Sequence, residues 1–245
     1  MTPIAPISPV FYNISKPVTK HKWGSKIGSA SYFSKTLPTD LLKTMPWLKE
    51  KSIAEALAEL NDLNFDKRDI IYLEKMGIQL PFKSGKDAVK LIQENNIRIL
   101  FENTTENGIH AQYDFSKNLI IINNQYKNSK DFAVILAIAE AILHEAGHAK
   151  DNDGDSSVQE ELNFLGMNAV AHRAFVTKYG DVFASSPDLI VRDGVRVYAK
   201  LFFENDPEKK NLIDRISLKY GDLPSGDRVH PPAKLALAIK NKAQS

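Results

Sequence analysis

The chain contains no cysteine among its 245 residues. A disulfide framework, a thiol nucleophile and a thiolate metal site are therefore excluded, so a transition metal could be held only by His, Asp and Glu side chains. Long apolar runs are also missing. The longest nearly uncharged stretch runs from Phe132 to Leu143 and is interrupted by Glu140. It is much shorter than the roughly 18 apolar residues that would predict a membrane-spanning helix. Phosphate-binding glycine loops and nucleophile-elbow patterns are absent from the sequence as well.

Acidic residues are missing from the first 39 positions, which carry five lysines, five of the twelve prolines and six serines. This composition disfavours a packed core. Because the whole chain carries +2, the remaining 206 residues carry −3. We therefore predict a flexible cationic arm over residues 1–38 and one folded domain over residues 39–245. A solvated extension is the simplest interpretation of the arm, and we do not expect nucleic acid to be its partner.

The arm lacks the continuous apolar segment of a secretory signal. We therefore expect a protein that is cytoplasmic, or exported without a standard signal peptide, and that has no transmembrane segment.

Apolar spacing divides the domain into a helical lead-in (39–96), a sheet with a central helix (97–150) and a helical C-terminal part (157–245). The lead-in is expected to hold two or three short helices, followed by a helix capped by Ser84. Three strands are predicted, the last two joined as a hairpin: Ile97–Phe101, Gly108–Tyr113 and Asn118–Asn123.

The predicted central helix begins at a cap near Asn128 or Ser129, with Asp131 favourable to the helix dipole, and ends at about Lys150. It is apolar nearly all round, so we expect it to be buried. Later helices are predicted at about 158–178, 187–204, 208–220 and 232–242, the last starting at Pro231 or Pro232. The pattern indicates an α+β fold with a small mixed sheet packed on the central helix.

The central helix contains the HExxH pattern, His144-Glu145-Ala146-Gly147-His148. Its histidines are four residues apart, so both project from one face and can bind the same metal ion. Two imidazoles and one carboxylate suit Zn2+ (zinc) and leave a position for a water, whose pKa the ion lowers. Glu145 is then the candidate general base. The alternative is a chance match with two core histidines, but burying three such groups without partners would be costly.

A third ligand is expected from the next helix, where Glu160 and Glu161 follow His148 by 12 and 13 residues. The two glutamates lie on faces of similar apolarity. We prefer Glu161, and Glu160 or Asp193 are the alternatives.

The order of helix, strand, hairpin strand, HExxH helix, loop and glutamate-bearing helix resembles the gluzincin branch of zinc metallopeptidases, in particular the HtpX-type and ImmA-type peptidases. The segment Val229–Pro232 (VHPP) is similar to the HPP segment of the HtpX type. This resemblance covers about residues 85–240. It implies a zincin-like fold and a zinc metalloendopeptidase, with the metal bound by His144, His148 and Glu161. It also implies that Glu145 acts as general base and that His230 stabilises the oxyanion.

Two positions depart from the pattern of those families. Leu165 stands where they commonly place an Asp or Asn that orients a histidine, and Ala236 stands where an arginine follows the HPP segment. Asp151 or Asp155 could orient a zinc-binding histidine instead. The departure at Leu165 also supports an alternative function, a zincin-fold binding module or pseudoenzyme whose metal is structural or lost.

Asp151, Asp153 and Asp155 alternate like the first ligands of a calcium loop. An EF-hand would need glycine and an acid where this chain has Ser156 and Leu162, so a solvated linker is the preferred interpretation.

The expected partner is a protein or peptide substrate. We predict that Asn118–Asn123 is an edge strand along which an extended peptide could add. His172 lies on the same helical face as Glu161 and is interpreted as a core or surface histidine.

Overall fold

A computed structural model of the chain describes residues 39–104, 109–184, 186–192, 194–203 and 207–245. The chain divides into two units, and all of these residues belong to the second, Tyr32–Ser245. The predicted arm (1–38) and Asp193 lie outside the described residues. The described part combines helices with a three-stranded mixed sheet, which confirms the predicted α+β class.

The helices and strands follow one another with short connections. They are α1 (Thr39–Thr44), α2 (Lys51–Asn61), α3 (Lys67–Lys75), α4 (Gly85–Glu94), β1 (Arg98–Glu102), β2 (Ala111–Asp114), β3 (Leu119–Asn123), a 3-10 helix (Asn124–Tyr126), α5 (Phe132–Asp151), α6 (Val158–Tyr179), α7 (Leu189–Arg192), α8 (Val195–Phe203), α9 (Pro207–Tyr220) and α10 (Lys234–Ala243).

The lead-in contains the predicted short helices α1 to α3, and α4 has the predicted cap. The Ser84 hydroxyl accepts a hydrogen bond from the Asp87 N–H, which satisfies one of the free donors of the first turn. At the other end Asn96 adopts a left-handed conformation, with φ of 50°, which stops the helix and starts β1.

The sheet has the strand order β1-β3-β2. The predicted hairpin is confirmed, because β2 pairs antiparallel with β3. β1 pairs parallel with the other side of β3, with Leu100 opposite Ile121. The prediction that Asn118–Asn123 is an edge strand is therefore wrong: β3 is central and both of its backbone edges are used within the sheet.

The central helix α5 begins later than predicted. Its cap is Asp131 itself, which accepts the Ala133 N–H at 2.9 Å, rather than Asn128 or Ser129. By length and composition α5 could cross a membrane, but 72% of its apolar window is buried inside the protein. It packs against α2, α4, α6 and the sheet, so its apolar residues form the middle of the core.

A short loop returns the chain from α5 to α6. Asn152 ends α5 in a left-handed conformation (φ 52°) and donates its N–H to the His148 carbonyl. Ser157 then caps α6 through a reciprocal capping box with Glu160. The first turn of α6 consequently lies beside the last turns of α5, where the two HExxH histidines are.

The C-terminal helices differ from prediction in two places. The predicted helix at 187–204 is divided into α7 and α8, and α10 begins after Ala233 rather than at Pro231 or Pro232. The segment before α10 is hydrogen-bonded to the start of α6. The Val158 N–H donates to the Pro224 carbonyl, and the Ala233 N–H donates to Gln159 Oε1.

Gly147 lets α5 and α6 approach closely at the candidate site. A Cβ atom at this position would lie 2.9 Å from the Phe164 ring. Phe164 is fully buried, and its ring makes edge contacts with the imidazoles of His144 and His148. It therefore has little room to move away.

We expect Gly147→Ala to lower the free energy of unfolding by about 1–3 kcal/mol, because overpacking outweighs the gain of about 1 kcal/mol in helix propensity. Urea unfolding measures the change. Phe164→Leu in the same background should recover part of the loss, and a Gly147→Ala variant as stable as the parent protein would contradict this account of the contact.

Candidate metal centre

Three predicted ligands converge between the end of α5 and the start of α6. His144 Nε2 lies 3.5 Å from one carboxylate oxygen of Glu161, and His148 Nε2 lies 3.6 Å from the other. One ligand atom from each of the three residues lies within 4.8 Å of the other two. Glu161 is buried, and its Oε2 atom has no hydrogen-bond partner among the described residues. Of the glutamates considered, Glu161 is thus the one that faces both histidines.

Glu160 has a different position. Its Oε1 atom lies 2.6 Å from His148 Nδ1, while its Oε2 atom accepts the Ser157 N–H of the capping box. A carboxylate on the ring nitrogen away from the ligand site fixes the tautomer and orientation of the imidazole. Glu160 therefore supplies the orienting acid that Leu165 cannot provide, and neither Asp151 nor Asp155 is needed for it.

The electrostatics of the cluster follow from burial and opposite charges. Burial alone would lower the pKa of His148, but the hydrogen bond to Glu160 and the negative charges of Glu161 and Glu145 outweigh it and raise the pKa to about 9. Burial likewise acts to raise the pKa of Glu161, yet the neighbouring imidazoles of His144 and His148 hold it at about 2. The metal-free cluster therefore favours a charged His148 beside a charged Glu161.

Glu145 is buried beside this cluster. Two residues at the end of α9 come close to it and to Glu161. Burial lowers the pKa of Lys219, although both glutamates act in the opposite direction. Burial also raises the pKa of Tyr220, and the negative charge of Glu161 raises it further. Tyr220 is therefore a neutral O–H donor near neutral pH.

Sequence reasoning missed Lys219 and Tyr220. They lie more than 50 residues beyond the HExxH helix. The sequence of α9 contains no motif that would predict contact with that helix. No local sequence pattern links them to the site.

His230 lies next to α6, but its ring nitrogens face Asn163 and Asp151 rather than the cluster of His144, His148 and Glu161. Nδ1 is 3.1 Å from the Asn163 side-chain nitrogen, and Nε2 is 3.3 Å from an oxygen of Asp151. Phe164 contacts both His230 and His148. Burial raises the pKa of Asp151, and His230 opposes that shift. The oxyanion role implied for His230 stays a prediction that these contacts do not support.

His172 is a core histidine, one of the two interpretations its position allowed. It is buried, its Nδ1 atom lies 3.0 Å from Glu140, and its ring packs on Phe183. The pair explains how Glu140 is accommodated within the apolar helix α5.

The donor set fits zinc. Zinc prefers imidazole nitrogen and carboxylate oxygen at about 2.0–2.2 Å, and neighbouring ligands of such a tetrahedral site are about 3.3–3.5 Å apart. His144 Nε2 and His148 Nε2 lie 3.5 and 3.6 Å from the two different oxygens of the Glu161 carboxylate, and both separations are close to this value. The buried Glu161 Oε2 atom, which has no hydrogen-bond partner among the described residues, is the oxygen that lies 3.5 Å from His144 Nε2.

Comparison with protein-family models, curated proteins and solved structures gives no match for this chain. What the chain does must therefore be inferred from the geometry of the site itself.

The raised pKa of His148 makes a prediction for the stability of the metal-free protein. The folded value of about 9 exceeds the value of about 6.5 for an unfolded histidine. The resulting stabilisation, on the order of 3 kcal/mol, should be complete below about pH 6.5 and should disappear as the pH rises through 9. Urea unfolding of chelator-treated parent protein and His148→Gln should differ most at low pH. A difference that stays constant or grows with pH would contradict the assignment.

Proposed function

We propose that the chain is a zinc-dependent metallopeptidase with a zincin-like fold. The main support is that the Nε2 atoms of two histidines on one helix face a single buried carboxylate, Glu161. A second buried glutamate, Glu145, lies beside them. His144, His148 and Glu161 would hold the metal, and Glu145 would be the general base.

The residues of the chain have separate tasks in this proposal. Zinc, when bound, supplies Lewis acidity and lowers the pKa of water, which is the chemistry that peptide hydrolysis needs. Glu145 accepts a proton from the attacking water and returns it to the leaving amine. Tyr220, held neutral by burial, can donate a hydrogen bond to the developing oxyanion. We assign no step to His230, because its ring faces Asn163 and Asp151.

The alternative of a binding module depended on the missing orienting acid at Leu165. Glu160 occupies that role in space, 2.6 Å from His148 Nδ1, which favours a catalytic over a vestigial site. The substrate we propose is a protein or peptide. It cannot add to β3 as an extra strand, because β3 already has a neighbour on each side.

The decisive experiment separates metal binding from turnover. Full-length protein purified with zinc should contain about one zinc per chain and should cleave members of a diverse peptide library. Glu145→Gln should keep the zinc and lose at least about 100-fold in cleavage rate, because the proton acceptor is gone. Glu161→Gln should lose both zinc and cleavage. Metal content is measured by elemental analysis, and cleavage by mass spectrometry.

The matched control is Glu94→Gln, on the exposed face of α4, which should change neither readout. A parent protein that holds zinc but cleaves no peptide would favour the binding module. A parent protein that takes up no zinc would refute the metal site itself.

The orienting role of Glu160 makes a further prediction. Glu160→Gln keeps a side chain that suits the third helical position of a capping box. It removes the negative charge of the carboxylate that lies beside His148 Nδ1. We expect zinc affinity to fall by about 10–100-fold, measured by competition with a coloured zinc chelator. Ser157→Ala is the matched control, since it removes the cap without touching His148. Equal losses in both variants would show that only the helix start matters.

A further inference from the structure

A second group of metal-ligating side chains lies outside the proposed zinc site. One carboxylate oxygen of each of Asp151, Asp153 and Asp227 lies within 4.8 Å of the other two. Asp151 is the last residue of α5, Asp153 belongs to the loop that follows, and Asp227 precedes α10. Three negative charges at this separation repel one another unless something neutralises them.

The Asp151 carboxylate is a buried member of this carboxylate cluster. Its side chain is only 4% exposed, and neither of its oxygens has a hydrogen-bond partner among the described residues. Buried polar atoms without partners are rare in native proteins and point to an ion or water that satisfies them. Both Asp151 oxygens are therefore without a hydrogen bond, although His230 Nε2 lies 3.3 Å from one of them, and the carboxylate is within 4.8 Å of the two others.

One of the two Asp227 carboxylate oxygens also lacks a hydrogen bond. Its Oδ1 atom accepts the N–H groups of Val229 and His230, whereas its buried Oδ2 atom has no hydrogen-bond partner among the described residues. The Nε2 atom of His230 lies 3.3 Å from Asp151 but is not aligned for a hydrogen bond. A single imidazolium would in any case leave the three carboxylates with an excess of negative charge.

The donors identify the kind of ion. All three ligands are carboxylate oxygens, which favours a hard cation, and Ca2+ tolerates irregular sites with additional water ligands at 2.3–2.6 Å. Asp153 is exposed, so water can complete the coordination. We propose that Asp151, Asp153 and Asp227 form a calcium site, distinct from the proposed zinc site. The linear EF-hand pattern fails here because the third carboxylate comes from a distant segment.

The calcium site would join parts of the chain that are far apart in sequence. It links the end of α5 to the segment before α10, which also bonds to the first turn of α6 through Pro224 and Ser225. An ion that binds the folded but not the unfolded chain stabilises the fold by mass action. Calcium should therefore stabilise the region next to the zinc ligands without touching them.

The test uses full-length protein already loaded with zinc, so that calcium cannot be confused with occupation of the first site. About 10 mM calcium chloride should raise the melting temperature by about 5 °C if the Kd is near 0.1 mM. Isothermal titration calorimetry should give about one calcium per chain. Sodium chloride of matched ionic strength should not reproduce the rise.

Variants then assign the effect to the carboxylate cluster. Asp151→Asn with Asp227→Asn should abolish the calcium-dependent rise, and Asp153→Asn, at an exposed position that should not prevent folding, should weaken calcium binding by about tenfold or more. Asp155→Asn, in the same loop but outside the cluster, should bind calcium like the parent protein. A parent protein without a calcium-dependent rise, or a rise that persists in the double variant, would overturn the proposal.

Discussion

The central constraint on this structure is that buried carboxylates at the start of α6 must find positive partners. Glu160 and Glu161 are both buried, and each faces His148 from a different side. Unpaired, such groups would cost several kcal/mol each. Their pairing with the end of α5 therefore fixes how the two helices meet, and it produces the arrangement of two imidazoles and a carboxylate that defines the candidate site.

The apolar frame around these groups is equally restrictive. Phe164 fills the space between the imidazoles and His230, and only a glycine at position 147 lets it approach α5 so closely. A charged cluster set in such a dry, tightly packed environment interacts strongly and moves little. Preorganisation of this kind suits a metal ligand set, because ligands that are already oriented lose less entropy when the ion binds.

The C-terminal segment completes the surroundings of the site from far along the chain. Residues before α10 bond to the first turn of α6, and Asp227 faces the end of α5. The negative charge of Glu161 also acts on Lys219 and Tyr220 at the end of α9. The two clusters of possible metal ligands differ in their donor atoms. One combines imidazole nitrogens with a carboxylate and the other has only carboxylate oxygens, so they suit different ions.

The sequence by itself determined the local features: the helical spacing of His144 and His148, the Ser84 cap of α4 and the β2–β3 hairpin. These depend on residues that are close in the chain, where helical periodicity and capping chemistry operate. Tertiary structure alone decided that β3 is central, that Glu161 faces both histidines while Glu160 contacts His148 Nδ1, and that the end of α9 and the segment before α10 supply neighbours for the site. Those contacts join distant segments, whose pairing depends on how the whole core packs rather than on any local pattern.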